Sequence, residues 1–92
     1  MVVALTDAGD VDRTLRAVLS DVLGISQERA LSLTEASPLF GALPEFDSLA
    51  VAGLLTELEE RLGILIEDHE VDADMLATFG ALLTFARSKA LR

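Results

Sequence analysis

Residues 46–63 read FDSLAVAGLLTELEERLG and contain the best-specified helix of the chain. Asp47 is a strong N-cap residue, because its carboxylate can accept a hydrogen bond from the free N–H groups of the following turn. Ser48 then occupies the first helical position. Gly63 is placed to end the helix, since glycine adopts the left-handed conformation of a helix C-cap easily. The pattern therefore predicts a helix that begins at Ser48 and ends before Gly63.

The predicted helix has an apolar stripe and an opposite face that carries one leucine among polar residues. At about 100° per residue, a single stripe about 100° wide contains Val51, Leu54, Leu55, Leu58 and Leu62. The opposite, outward face carries Leu49, Gly53, Glu57 and Glu60. Single exposed leucines are common on protein surfaces. The other interpretation is that Leu49, which lies beside Ser48, docks a partner protein. The sequence leaves both interpretations open.

The composition favours one small helical domain over residues 1–92. The chain is 51% hydrophobic but has only four phenylalanines and neither tryptophan nor tyrosine, so its core must consist mainly of Leu, Val, Ile and Ala. Such a core suits packed helices. The absence of cysteine excludes disulfides, thiolate metal sites and a cysteine nucleophile.

Helical periodicity predicts further elements on both sides of this helix. The expected elements are a flexible tail over residues 1–9, a helix over 10–23, a long loop over 25–46 with a helical turn near 27–31, a short helix over 72–76, and a last helix capped by Thr78. The expected fold is all-α, a small four-helix bundle of three longer helices and one short helix. Its long loop joins helices one and two.

The negative charge is concentrated in one segment. The net charge is −9, and residues 45–74 hold ten acids against Arg61 alone, while the rest of the chain balances at six acids and six bases. Such a field disfavours nucleic acid and anionic membranes and favours basic protein surfaces. No apolar run approaches the roughly 18 residues of a membrane span, and the N-terminus lacks a basic signal region, so we expect a cytoplasmic protein.

Two kinds of chemistry fit the sequence poorly. The alternating acids of residues 68–74 resemble a calcium loop, but its required glycine and glutamate are replaced by Ala73 and Phe79. His69 could in principle act as a base for Ser48, yet the residues around Ser48 lack the glycines of a nucleophile elbow. We therefore expect no metal site and no catalytic residues.

The triplet Asp47-Ser48-Leu49, followed by a leucine-rich acidic helix that ends at Gly63, resembles the signature of the acyl carrier protein family. The resemblance extends over about residues 15–85. It implies that Ser48 carries 4'-phosphopantetheine, with Asp47 and Leu49 as the flanks of the motif. A separate phosphopantetheinyl transferase would attach this group from coenzyme A. The resemblance further implies a monomeric, non-enzymatic carrier that holds acyl groups as thioesters.

The sequence departs from the family on the face that partners recognise. Family members most often have acids at the positions of Ala50 and Gly53, so the acidic surface is shifted along the helix. The resemblance then implies partner contacts through Leu49, Gly53, Glu57, Glu59 and Glu60. The expected partners are enzymes with basic docking patches that load or transfer acyl groups.

The pathway and the nature of the cargo stay open. Fatty acid, polyketide and related lipid or polysaccharide pathways all use such carriers, and residues 37–41 and 43–49 resemble dedicated carriers of a secondary pathway more than the housekeeping protein. An aminoacyl or peptidyl carrier is an alternative, although Glu45-Phe46 stands where paired glycines often precede its serine. A second alternative is an unmodified acidic helical adaptor that only binds proteins.

Overall fold

The computed structural model describes residues 8–91. Within that range the chain forms five α-helices and one 3₁₀ turn. They are α1 (Ala8–Leu23), α2 (Gln27–Leu31), α3 (Ser48–Leu62), the 3₁₀ turn (Asp68–Glu70), α4 (Ala73–Ala77) and α5 (Phe79–Ala90). The described residues form no β-strand, and an isolated bridge joins Pro38 to Thr78.

The predicted all-α bundle is confirmed. Helices α1, α3 and α5 are its three longer helices, α4 is the short one, and α2 is the helical turn expected within the long loop. The expected tail differs in extent, because residues 8 and 9 belong to α1. The remainder of the predicted tail, residues 1–7, lies outside the described residues.

The helix ends follow the predicted caps. The Asp47 carboxylate accepts a hydrogen bond from the Ala50 N–H at 2.9 Å, and the Thr78 hydroxyl accepts one from the Ala81 N–H at 3.1 Å. Gly63 ends α3 with a φ of 64°, which is the left-handed conformation that glycine adopts more easily than other residues. Local sequence therefore determines where α3 and α5 begin.

The core lies between α1, α3 and α5. Its fully buried side chains are Val11, Leu15, Val18, Leu19, Leu39, Leu54, Leu58, Phe79 and Leu82. Leu39 belongs to the long loop, so the loop contributes to the core as well as covering it. The predicted stripe of α3 is buried at Leu54, Leu58 and Leu62, whereas Val51 and Leu55 are half-buried at its edges.

The first half of the long loop is held to α1 by one arginine. The Arg16 guanidinium donates hydrogen bonds to the carbonyl oxygens of Ala30, Leu31 and Leu33 at 2.8, 3.1 and 3.0 Å. It also lies over the Phe79 ring, 4.4 Å from the ring centroid. Its side chain is only 16% exposed. This arginine therefore fixes the loop against both α1 and α5.

The second half of the loop is held by its backbone. The Gly80 N–H donates to the Glu35 carbonyl at 3.0 Å, and the Leu39 N–H donates to the Ala77 carbonyl at 2.8 Å. A Cβ built on Gly80 would lie 2.7 Å from the Glu35 carbonyl oxygen, so the close approach requires glycine. The loop thus reaches α3, and Ser48, from a fixed position.

Candidate modification site and docking surface

Ser48 is exposed at the first position of α3. The Asp47 carboxylate occupies the Ala50 N–H, while the N–H groups of Ser48 and Leu49 have no intrahelical acceptor by the geometry of a helix start. Together with the helix dipole, these free donors favour an anion on the serine oxygen. The negative charge of Asp47 opposes this effect, although Asp47 also orders the turn. The serine is therefore accessible and lies where a phosphodiester can be accommodated.

The residue before the cap anchors the site to the core. Phe46 is buried, and its ring meets that of Phe40 edge to face, with 5.8 Å between the centroids. Phe40 itself is partly exposed and lines, with Ser48, a shallow cleft over residues 40–48. The site therefore combines a buried phenylalanine just before the cap with an open cleft beside Ser48.

Leu49 is 83% exposed, as its place opposite the apolar stripe predicts. Its side chain stands next to Ser48 on the surface of α3. The sequence prediction of an outward leucine is confirmed, and its role in docking stays a prediction. Glu60, on the same side of the helix, is also exposed.

The other predicted docking residues do not all face solvent. Gly53 was expected on the outward face, but it is half-buried, and a Cβ built on it would lie 3.5 Å from Val22 Cγ1 of α1. Glu59 is half-buried, and its carboxylate accepts a hydrogen bond from the Ile66 N–H at 2.9 Å, which ties the segment after α3 back to the helix. Gly53 is half-buried because α1 packs against the flank of α3. A helical wheel of α3 alone contains no information about the position of α1.

Glu57 is half-buried and paired. Arg61 donates hydrogen bonds to Glu57 at 2.9 Å and to Asp21 of α1 at 2.7 Å, so one guanidinium joins the two helices. The hydrogen bond to Asp21, with that to Glu57, raises the pKa of Arg61 above its ordinary value. The charge of Glu57 is therefore partly neutralised, and Glu60 keeps the more accessible carboxylate.

An ion pair close to the site was not anticipated from the sequence. Arg29 of α2 donates to Glu45, three residues before Ser48, at 2.8 Å. Hydrogen bonding from the Glu45 backbone N–H, and then from Arg29, lowers the pKa of the Glu45 carboxyl. The partners are 16 residues apart on separate elements, so no local periodicity indicates the pair.

His69 lies in the 3₁₀ turn beyond the C-terminal end of α3, whereas Ser48 begins that helix. A helix of 15 residues is about 21 Å long, which places the two residues toward opposite ends of the helix. Among residues 8–91, no group of three or more His, Asp or Glu side chains could hold a metal ion. None of the described helices is long and apolar enough to cross a membrane.

Comparison with known proteins agrees with this geometry. The family model described as a phosphopantetheine attachment site matches residues 13–86. Among solved structures, the chain is similar to a holo acyl carrier protein from Nitrosomonas europaea, determined by NMR in solution, with a TM-score of 0.75 and 37% identity. That match covers 85% of this chain and 92% of the other. No curated protein sequence gives a significant match.

Proposed function

This chain belongs to the phosphopantetheine-binding acyl carrier proteins, whose covalent cofactor is 4'-phosphopantetheine, and we propose that Ser48 is the residue to which the cofactor is attached. The observation that carries the proposal is an exposed serine at the capped start of α3, with a free N–H in that turn. When bound, the cofactor supplies a thiol on which acyl groups are held as thioesters. The chain, which has no cysteine, offers no thiol of its own.

The protein's part in attachment is limited to presentation. Ser48 Oγ forms the new bond to phosphorus and gives up its proton to a base of the phosphopantetheinyl transferase, while the nucleotide half of coenzyme A leaves. Asp47 orders the turn, and the helix N-terminus favours the resulting phosphodiester. Because the base and the Mg²⁺ belong to the transferase, we propose a carrier without catalytic residues of its own.

Partner enzymes would meet Ser48 across the exposed side of α3. We propose that Leu49 contributes an apolar contact and that Glu60 contributes an accessible negative charge, with Glu57 contributing less because Arg61 is bound to it. Partners with basic patches suit this surface. We further propose a monomeric carrier that works in the cytoplasm.

The cargo is an acyl group in this proposal, since the solved structure that the chain resembles is an acyl carrier protein. The match to a phosphopantetheine attachment site over residues 13–86 favours a modified carrier over an unmodified adaptor. For the pathway, we propose assembly of a lipid, polyketide or polysaccharide by dedicated enzymes. Mass spectrometry of the acyl group on carrier isolated from its own cells would identify the cargo.

The attachment site is tested by intact mass. Purified protein is incubated with coenzyme A, Mg²⁺ and a broad-specificity phosphopantetheinyl transferase, and the wild type is expected to gain one phosphopantetheine. Ser48→Ala should gain none, while Ser88→Ala, which removes an exposed serine of α5, should be modified fully. Modification of Ser48→Ala would move the site elsewhere. An unmodified wild type, beside a modified control carrier, would contradict the proposed function.

A further inference from the structure

The shallow cleft beside Ser48, here named the loop cleft, differs in chemistry from the acidic side of α3. It is lined by residues 40–44 and 46–48, of which only Asp47 and Ser48 carry polar side chains. Its volume of about 480 Å³ lies within the range of small-molecule sites, about 300–1,000 Å³. The loop cleft is therefore a largely apolar surface that begins at the proposed attachment residue.

Phe40 gives the loop cleft an aromatic surface that solvent reaches. It is 39% exposed, whereas Phe46, which its ring meets edge to face, is only 3% exposed. The Phe40 N–H donates to the Leu76 carbonyl of α4 at 3.0 Å, so the backbone at this position is fixed to the bundle. A ligand in the cleft would thus meet an apolar surface that is already formed, which lowers the cost of ordering on binding.

Gly41 gives the loop cleft hydrogen-bonding groups of the main chain. It is exposed and has no side chain, so solvent reaches its backbone. Among residues 8–91, neither its N–H nor its carbonyl oxygen is in a hydrogen bond. No described atom, apart from its chain neighbours, lies within 4 Å of a Cβ built on it. A ligand that carries amide groups can therefore pair with Gly41 without displacing a bond of the fold.

The position of Ser48 indicates what occupies the loop cleft. Ser48 itself lines it, whereas a second groove, between α1 and α3, is lined by the neighbours of Ser48 but not by Ser48. A group attached to Ser48 Oγ is therefore tethered at the edge of the loop cleft, which gives it a high effective concentration there.

The chemistry of the cofactor also favours the loop cleft. Beyond its phosphodiester, the pantetheine arm is uncharged and carries a pair of methyl groups, a hydroxyl and two amides. Methyl groups suit the apolar lining, and amides suit the free backbone groups of Gly41. The groove between α1 and α3, by contrast, is lined by four carboxylates and one guanidinium.

We propose that the loop cleft is a resting site for the pantetheine arm, in which the Phe40 ring contacts the methyl groups and the Gly41 backbone hydrogen-bonds an amide. The proposal rests on the proposed attachment at Ser48. Leu49 and Glu60 do not line the loop cleft, so an arm held there leaves these proposed docking residues of α3 uncovered. A partner can then dock on α3 while the arm is held aside.

The test compares unmodified and modified carrier by NMR. Uniformly isotope-labelled protein is modified with unlabelled coenzyme A by a broad-specificity transferase, and intact mass establishes that modification is complete. Isotope-filtered NOE spectra then report contacts between the arm and the protein, and amide spectra report the shift of each N–H on modification. Phe40→Ala removes the ring. Leu65→Ala is the control, because it removes an apolar side chain that is 66% exposed, beyond the end of α3 that lies away from Ser48.

In the wild type we expect NOEs between the methyl groups of the arm and the Phe40 ring, together with a shift of the Gly41 amide on modification. Phe40→Ala should reduce that shift about twofold or more, because the arm loses its main apolar contact. Leu65→Ala should leave the shift as in the wild type. Circular dichroism and thermal unfolding of the unmodified proteins check that each variant is folded.

Two NOE results would overturn the resting site and leave the carrier function standing. NOEs from the arm to Val22 or Ala52 would place it in the groove between α1 and α3, and NOEs confined to the immediate neighbours of Ser48 would mean a free arm. An equal Gly41 shift in all three proteins would overturn the contact with Phe40. If Phe40→Ala does not fold, the NOEs of the wild type decide. A wild type that gains no mass would instead contradict the proposed function, and the resting site with it.

Discussion

Replacing Arg16 with methionine should cost much of the stability of this domain. Arg16 donates to three loop carbonyls and lies over Phe79, and its side chain is 16% exposed. A hydrogen bond from a charged group contributes about 1.5–3 kcal/mol net. The Leu31 carbonyl is exposed and can bind water instead, so two bonds carry most of the effect. Two such bonds give about 3–6 kcal/mol. Both are only part-buried and methionine keeps the apolar stem, so we expect a loss near the lower end, about 3–4 kcal/mol.

That loss is large beside the total stability of a small domain. At about 0.05–0.15 kcal/mol per residue, a chain of 92 residues has roughly 5–14 kcal/mol in all. For a domain of this size each kcal/mol moves the melting temperature by about 4–8 °C. With a loss of about 3–4 kcal/mol, Arg16→Met should therefore melt roughly 12–32 °C below the wild type. Thermal and urea unfolding followed by circular dichroism would measure both quantities.

Arg13→Met is the matched control. Arg13 is on the same helix and pairs with Asp10, but its side chain is 70% exposed. An exposed ion pair contributes at most about 1 kcal/mol. Equal losses in the two variants would refute the view that Arg16 holds the loop. A specific loss should also appear as faster amide hydrogen exchange in residues 30–34 of Arg16→Met.

Three further predictions concern exposure, close packing and charge. Leu49→Ala should change the free energy of unfolding by less than about 0.5 kcal/mol while slowing modification of the carrier; a loss of about 2–5 kcal/mol in denaturant titration would mean that the leucine is core. Gly80→Ala should lower the free energy of unfolding by about 1–3 kcal/mol, because the added Cβ would collide with the Glu35 carbonyl oxygen, whereas Gly53→Ala should not lower it. Equal unfolding midpoints of the two variants would contradict this contrast. The hydrogen bond from Lys89 lowers the pKa of Glu70 below its ordinary value of 4.5. The Lys89–Glu70 pair therefore stabilises the fold fully above pH 4.5, and this stabilisation is lost as the pH falls through the lowered pKa. The stability difference between wild type and Glu70→Gln should therefore shrink in acid unfolding series, and a constant difference would count against the pair.

The helices and their ends were predictable because their causes are local. The Asp47 and Thr78 caps and the glycine at position 63 act within a few residues of the turn that they define. The buried stripe of α3 was also predictable, since helical periodicity alone brings Leu54 and Leu58 to one side. An exposed Leu49 follows from the same geometry. The start of α1 was wrong by two residues, because Ala8 and Gly9 add no large apolar side chain to the periodic pattern of the helix.

The contacts that hold the long loop were not predictable in this way. Arg16 reaches carbonyls 14 to 17 residues away, and Gly80 meets Glu35 across the fold. Sequence shows an arginine on a polar face of α1 and a glycine in the first turn of α5, both of which have ordinary explanations. The loop has no periodic pattern, so its docking depends on shape and on backbone carbonyls that every sequence possesses.

The docking surface was predictable only in part. A helical wheel shows which side of α3 is apolar, but it does not show which neighbouring element covers the flanks of the helix. Once α1 packs beside α3, Gly53 becomes half-buried beside Val22, and Arg61, which the i,i+4 spacing already places next to Glu57, also binds Asp21 of α1. Glu59 is bound to the segment after the helix. The charge that an approaching enzyme meets is therefore decided by which carboxylates are already bound within the fold. A count of acids on α3 overstates that charge, and Asp21 of α1 and Glu45 of the loop do not restore it, because Asp21 is bound to Arg61 and Glu45 is bound to Arg29.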